Sequence, residues 1–196
     1  MTKEQKQRII DAKLRYDSYR FPNTPPIGEY KHTDTTASGL THCINDFLFW
    51  EGWLGERVNV MGTPEVEYFV DGNTGTKLGR VKGVKYRKTT GTVGSADQHS
   101  TIMGKAVKFE VKMKDKQSAD QKRYAAKQRV SGGEYHIVHN MGEVFEQYDR
   151  ITADDTDEAK AIRIAAMAEI ARQEDQHRRK RQPPLPVGSI TSIEQL

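Results

Sequence analysis

The stretch from residue 106 to residue 113 constrains the fold more than any other, because apolar and charged side chains alternate strictly along it. The two sets that alternate are Val107, Phe109, Val111 and Met113 on the apolar side, and Lys108, Glu110, Lys112 and Lys114 on the charged side. Successive side chains of a β-strand point to opposite faces. The pattern therefore predicts a strand with one face against a hydrophobic core, and it places Glu110 and Lys112 side by side on the other face.

Apolar periodicity and turn residues predict the elements around this strand. Helices are expected over 3–19, 39–54 (capped by Thr41), 118–130, 141–148 and 156–181. Further strands are expected over 56–61, 66–70 and 135–139, and the basic, glycine-rich segment 76–92 is expected to form a hairpin. A proline-containing arm separates the first two helices. The order predicts a mixed α/β body over 37–150, between an N-terminal helix and arm (1–36) and a C-terminal charged helix and tail (151–196).

Composition restricts the class of protein. A chain of 196 residues that is 35% hydrophobic and 30% charged is expected to form one domain with appended segments. The single cysteine, Cys43, excludes an internal disulfide and a cysteine zinc cluster, and its apolar surroundings predict burial. No apolar run is long enough to span a bilayer, so we expect a cytoplasmic protein without a membrane partner. The net charge of +4 weakly favours a polyanionic partner.

Two carboxylates and a lysine around the alternating strand are the candidate chemical site. Hard divalent cations such as Mg²⁺ prefer carboxylate and carbonyl oxygens, so Asp97, Glu110 and the carbonyl of Val111 form a candidate ligand set. Lys112, on the face of Glu110, could orient an attacking water or stabilise charge that develops on a phosphate. Gln121, in the first turn of the next helix, could hold the site in order or contact the substrate.

The same residues allow a simpler interpretation. Alternation of this kind is also typical of any half-exposed strand, in which Glu110 and Lys112 would be solvated or paired across the sheet. His99, two residues after Asp97, is a further candidate for proton transfer. His136 and His139 are three residues apart on a predicted strand and therefore face opposite ways, which argues against a shared metal ion.

The order of motifs resembles the VRR-NUC family, a branch of the PD-(D/E)XK nuclease superfamily. The resemblance is carried by Gly94-Ser95-x-Asp97, by Glu110-Val111-Lys112 at the end of a hydrophobic strand, and by Gln117-Ser118-x-x-Gln121 before a glycine-terminated helix. The upstream segment 40–59 resembles the opening helix and strand of the family. About 110 residues are covered, and the match is close only from Asp97 to Gln121.

This resemblance implies a restriction-endonuclease-like core, in which helices flank a four-stranded mixed sheet. It also implies cleavage of DNA phosphodiester bonds with Mg²⁺, or Mn²⁺ as a substitute. Asp97 and Glu110 would be metal ligands, Lys112 the catalytic lysine and Gln121 a supporting residue. Stand-alone phage and bacterial members are associated with branched DNA and with dimers, so branched, flapped or single-stranded DNA and a homodimer are the expectations here.

Residues around this site are expected to contact DNA, and they are Arg57, Arg87, Lys88, Lys114, Lys116, Gln117 and Ser118. The sequence departs from the family at the start of the opening helix, where many members carry an acid and this chain reads Thr36-Ala37-Ser38-Gly39. Two other classes of function stay open. One is a non-catalytic DNA-binding module with this fold, and the other is a scaffold protein that acts through its C-terminal helix.

Overall fold

The alternating segment forms an inner strand of a four-stranded sheet in the computed structural model, which describes residues 1–58, 63–87 and 92–181. In chain order the elements are α1 (Lys3–Arg20), α2 (Ala37–Trp50), β1 (Leu54–Arg57), β2 (Thr63–Val70), β3 (Lys77–Arg87), β4 (Gln98–Ile102), β5 (Lys105–Val111), α3 (Ala119–Val130), β6 (Glu134–Val138), α4 (Met141–Ile151) and α5 (Asp157–Arg181). The main sheet has the order β1-β4-β5-β6. Its first two pairings are antiparallel and β5-β6 is parallel, so the predicted mixed four-stranded sheet is confirmed.

Helices cover both faces of this sheet. Val107, Phe109 and Val111 of β5 are buried in the main core together with side chains of α2 and α4, as the alternation predicts. On the opposite face, Tyr135 of β6 packs with Ala125 of α3 in a smaller cluster. Glu110 and Lys112 therefore point toward the side of the sheet on which α3 lies.

The terminal helices pack on this body. Ile9 and Ala12 of α1 are fully buried in the main core, and Tyr16 of α1 is buried with Ile164 and Ala168 of α5. Residues of both predicted extensions thus contribute to the buried apolar surface. None of the helices in the described ranges is both long enough and apolar enough to cross a membrane.

A buried carboxylate links four helices. Glu51, directly after α2, accepts a hydrogen bond from the Tyr148 hydroxyl at 3.0 Å and lies 2.9 Å from the Arg15 guanidinium. Lys160 of α5 contacts the same carboxylate. A buried charge is tolerated only when it is paired and hydrogen-bonded. These contacts from α1, α4 and α5 supply that compensation.

The structure corrects the predicted start of α2. Thr36, and not Thr41, is the capping residue, because its side chain accepts a hydrogen bond from the Gly39 amide. Thr41 lies inside the helix, where its hydroxyl donates to the carbonyl of Ala37 at 2.8 Å. The helix therefore begins at Ala37 and ends at Trp50, earlier at both ends than predicted. Cys43 is buried, as its apolar surroundings predict.

The predicted hairpin within 76–92 is wrong. The described part of this segment, 76–87 and 92, supplies a single strand, β3, which pairs antiparallel with β2 to form a separate two-stranded sheet. The turn lies earlier, where Asp71 Oδ1 accepts hydrogen bonds from the amides of Asn73 and Thr74. The predicted strand over 56–61 appears in part as β1, which runs from Leu54 to Arg57. Residues 59–61 of the predicted strand lie outside the described ranges. The predicted tail after residue 181 lies outside them as well.

Candidate functional site

The predicted site residues lie at the start of β4, at the end of β5 and in the first turn of α3. Asp97 immediately precedes β4, Glu110 and Val111 end β5, Lys112 follows, and Gln121 lies in the first turn of α3. All five line one cleft of about 290 Å³, whose other walls come from the start of α2 and the end of β1. The sequence prediction that they belong to one site therefore agrees with their placement.

Glu110 is the most enclosed group of the cleft, with only 1% of its surface exposed. Its Oε1 accepts a hydrogen bond from the side-chain amide of Gln121, and its Oε2 accepts one from the Tyr135 hydroxyl at 3.2 Å. Burial raises the pKa of Glu110, and the nearby Asp97 carboxylate adds to this effect, although Lys112 acts against it. Such burial argues against the simpler interpretation of a solvated strand face. It also creates a carboxylate that a further positive charge would stabilise.

Lys112 supplies the positive charge closest to Glu110. Its Nζ lies 3.0 Å from Glu110 Oε1 and 2.9 Å from Asp115 Oδ2. Burial alone would lower the pKa of Lys112, but the hydrogen bonds to Asp115 and Glu110 outweigh it and raise the pKa. The ammonium group is therefore charged at neutral pH. Because the Asp115 side chain is 68% exposed, Lys112 is held between a buried and a solvated carboxylate at the mouth of the cleft.

The Asp97 carboxylate is fixed against the end of β5. Its Oδ2 accepts a hydrogen bond from the Val111 amide at 2.9 Å, while its backbone carbonyl accepts one from the Val58 amide at 2.9 Å. No donor to Oδ1 is present among the described residues. The carboxylate is thus held beside Val111 by one oxygen, and the other remains for a ligand.

A glycine and a helix cap set the position of Gln121. Gly94 has a positive φ of 80° and lies directly against the backbone of Asp120 and Gln121, so that a Cβ on Gly94 would come within 2.5 Å of the Asp120 carbonyl carbon. Ser118 caps α3 by accepting from the Gln121 amide, and the Ser118 amide donates to Gln121 Oε1 at 2.9 Å. The Gln121 side chain is therefore held at its oxygen and donates to Glu110 through its nitrogen.

The donor set of the cleft fits a hard divalent cation. Asp97, Glu110 and the main chain of Val111 provide two carboxylates and a carbonyl, which are the oxygen ligands that Mg²⁺ and Mn²⁺ prefer. No group of three or more His, Cys, Asp or Glu side chains in the described ranges is arranged to hold a metal ion. A centre here would accordingly rest on two acidic side chains, one backbone carbonyl and water.

The residues expected to contact DNA differ in their exposure and in whether they line the cleft. Arg57 lies exposed on β1 and lines the cleft, and Lys114 and Lys116 are exposed in the loop after β5. Gln117 is half-buried, and the Ser118 hydroxyl accepts the hydrogen bond from Gln121 that caps α3. Arg87 ends β3, and its side chain, like all of Lys88, lies outside the described part of the structure.

Sequence reasoning missed two side chains that contact the central pair. Tyr135 donates to Glu110, and Asp115 pairs with Lys112. The sequence predicts only that Tyr135 lies on a strand. Its position opposite Lys108 of β5 depends on which strands are neighbours, and the local sequence does not specify that. Asp115 follows Lys112 by three residues, and that spacing in a loop gives no indication of contact. The start of α2, with Ser38 and Thr41, also lines the cleft.

The three candidate histidines, His99, His136 and His139, do not line the cleft. His99 is half-buried on β4, where Ser95 Oγ lies 2.9 Å from its Nε2 and the Tyr124 ring stacks near it. Burial, with a smaller effect from Lys108, lowers the pKa of His99 from its ordinary 6.5 to about 4. A neutral imidazole that contacts Ser95 and does not line the cleft indicates a packing role. His136 is half-buried on β6 and His139 is exposed, but β6 ends at Val138, so the predicted strand over 135–139 is one residue too long and His139 lies outside it.

The lowered pKa of His99 predicts a specific loss of stability in acid. The unfolded chain binds a proton at His99 near pH 6.5 and the folded chain only near pH 4, so this contribution is complete above pH 6.5 and is lost as the pH falls toward 4. We expect His99→Gln, compared with wild type, to reduce the fall in unfolding free energy over this range by about 2 kcal/mol. Urea unfolding at a series of pH values measures it. His177→Gln, at an exposed position, is the control, and equal pH profiles for His99→Gln and wild type would contradict the prediction.

No family model, curated protein or solved structure matches the chain. The VRR-NUC assignment and the restriction-endonuclease-like character of the core therefore stay predictions from the motifs around Asp97, Glu110 and Lys112. The mixed sheet, the cleft and the contacts within it are independent of that assignment.

Proposed function

We propose that this protein is a metal-dependent DNA endonuclease of the VRR-NUC type, which hydrolyses phosphodiester bonds with Mg²⁺ or Mn²⁺. One observation carries the proposal: Asp97, Glu110 and Lys112 come from separate positions in the sequence and line one cleft, with Glu110 almost fully buried and bonded to both Lys112 and Gln121. A solvated strand face would not need such contacts, whereas a site that handles cations and phosphates would.

Each residue has a distinct part in the proposed chemistry. Asp97, Glu110 and the Val111 carbonyl would hold the cation, which when bound lowers the pKa of a coordinated water and polarises the phosphate. The charged Lys112 stabilises negative charge that develops on the phosphate oxygens. Gln121 keeps Glu110 Oε1 in place, since it is itself fixed by the cap of α3.

The groups at the rim of the cleft suit a nucleic-acid backbone. Arg57 is an exposed cation that lines the cleft, and Lys114 and Lys116 are exposed in the loop that contains the cleft residue Asp115. We propose branched or flapped DNA as the preferred substrate, with single-stranded DNA as a further possibility. A cytoplasmic homodimer that presents two clefts to one junction is part of the same proposal, and it rests on the resemblance to the family.

Cleavage of labelled DNA tests the proposed function. Holliday junction, flap, single-stranded and linear duplex substrates are each incubated with Mg²⁺, with Mn²⁺ and with EDTA. We expect cutting of at least the branched substrates in either metal and none in EDTA. Salt-sensitive binding without cutting in either metal would indicate a DNA-binding module instead. Absence of binding to every substrate would favour a scaffold protein that acts through α5.

A further inference from the structure

The two-stranded sheet of β2 and β3, hereafter the ribbon, is inserted in the chain between two residues that line the cleft. The chain leaves the main sheet at Val58 and returns at Asp97, and the Val58 amide donates to the Asp97 carbonyl at 2.9 Å. Both residues line the cleft. Eight residues of β2 in extended conformation span about 27 Å, which sets the length of the ribbon.

The ribbon exposes side chains that the core does not use. Val66 and Val84 lie opposite each other and are 47% and 53% exposed, and Phe69 is 42% exposed. Neighbouring exposed apolar side chains are one sign of a partner. In the described ranges β2 and β3 pair with each other and with no strand of the main sheet, so the ribbon is not part of that sheet.

Charge indicates the nature of that partner. Strand β3 carries five basic residues and no acidic residue over its eleven positions. Glu67 on β2 is paired with Lys85, and the Asp71 carboxylate accepts hydrogen bonds from the turn amides. Within the described ranges, no carboxylate contacts Lys77, Arg80 or Lys82. The half of the ribbon next to its turn therefore presents three uncompensated cations.

Two of these cations are held by aromatic rings. Lys77 Nζ lies 5.5 Å from the centroid of Tyr68, and Arg80 Cζ lies 5.5 Å from that of Phe69. Such contacts orient a cation without neutralising its charge. A two-stranded β-ribbon also has the width that the major groove of duplex DNA admits.

We infer that the ribbon binds the phosphate backbone of duplex DNA next to the bond that is cut, through Lys77, Arg80 and Lys82. This inference rests on the proposed function, which supplies DNA as the substrate, and it extends that function by naming a surface that contacts the DNA. Cations on a ribbon of this length would contact phosphates several nucleotides away from the reacting one. Contacts of this kind raise affinity for any sequence and make that affinity depend on salt.

The experiment measures DNA binding without cleavage. Asp97→Asn serves as the background in every arm, and the affinity for labelled duplex and flap DNA is measured by fluorescence anisotropy in EDTA over a range of salt concentrations. The test variant adds Lys77→Gln, Arg80→Gln and Lys82→Gln. The matched control instead adds Lys3→Gln, Lys6→Gln and Lys31→Gln, which remove the same charge from exposed positions on α1 and the arm.

We expect the ribbon variant to bind about tenfold more weakly near physiological salt, and the slope of log Kd against log salt to fall by about two to three. The control should stay within about twofold of the background. Equal affinities for the background and the ribbon variant, or equal losses in both variants, would overturn the inference. Failure of the cleavage test in Mg²⁺ and Mn²⁺ would remove the nuclease proposal alone, because this measurement contains no cleavage step.

Discussion

Lys112→Met is expected to lower the rate of Mg²⁺-dependent DNA cleavage by about 10³-fold, with little change in DNA affinity. The ammonium group of Lys112 is the charge closest to Glu110, at 3.0 Å, and its raised pKa keeps it protonated at neutral pH. Methionine has a similar length and no charge, so the variant removes the electrostatic contribution and retains most of the packing. A cation positioned for the charge that develops on phosphate acts mainly in the transition state, which is why the rate changes more than the affinity.

The rate is measured in single turnover on the best-cut substrate, beside DNA affinity in EDTA and thermal unfolding of each variant. Loss of Lys112 leaves Glu110 buried without its cation, so a lower melting temperature is expected and folding is verified at the assay temperature. Lys105→Met is the matched control, since Lys105 lies at the start of the same strand and its side chain is 54% exposed. A cleavage rate for Lys112→Met within a few-fold of that of Lys105→Met would exclude a catalytic role for Lys112.

Asp97→Asn separates the ligand role from the role of the lysine. The amide oxygen of asparagine can still accept the hydrogen bond from Val111, so the local fold is retained while a carboxylate is lost. Thermal unfolding with and without Mn²⁺ is therefore informative, because a ligand that binds the folded state raises its stability. The metal should raise the melting temperature of wild type and of the exposed control Asp154→Asn, but not that of Asp97→Asn.

Local sequence patterns predict those features of the site that depend on residues close together in the chain. Strand periodicity alone places Glu110 and Lys112 on one face, and the core burial of Val107 and Phe109 follows from the same alternation. The cap of α3 is equally local, because Ser118 and Gln121 satisfy each other within one turn. The predictions for β5 and for the helix that begins near Ser118 needed no knowledge of which strands are neighbours.

Other features could not be predicted because they depend on contacts between distant residues. Pairing of β2 with β3 depends on a turn at Asp71, and the glycine-rich composition of 76–92 suggested a different turn. Tyr135 reaches Glu110 only because β6 lies parallel to β5. The carboxylate of Glu51 gains its partners from α1, α4 and α5, which no pattern near residue 51 specifies. Nor could the sequence decide between Thr36 and Thr41, since either residue can cap a helix.

Gly94→Ala should be among the most disruptive single substitutions near the site, although alanine is the smallest change available. The φ of Gly94 is 80°, which costs an L-residue about 1 kcal/mol or more. In addition, its new Cβ would come within 2.5 Å of the Asp120 carbonyl carbon and within 2.7 Å of the Gln121 amide nitrogen. Both contacts are with backbone, so relief requires the start of α3 to move. We expect a total loss of about 3–4 kcal/mol in unfolding free energy.

Gly104→Ala separates the two causes of this loss. Gly104 also has a positive φ, of 74°, but a Cβ there would meet nothing within 4 Å. Urea unfolding should therefore show a loss of only about 1 kcal/mol for Gly104→Ala, and the difference between the two variants measures the clash with α3. Because movement of α3 carries Gln121 away from Glu110, Gly94→Ala should also reduce cleavage under conditions in which it remains folded, whereas Gly104→Ala should cut at the wild-type rate. If the two variants lost equal stability, close packing of Gly94 against α3 could not be what fixes Gln121 at the site.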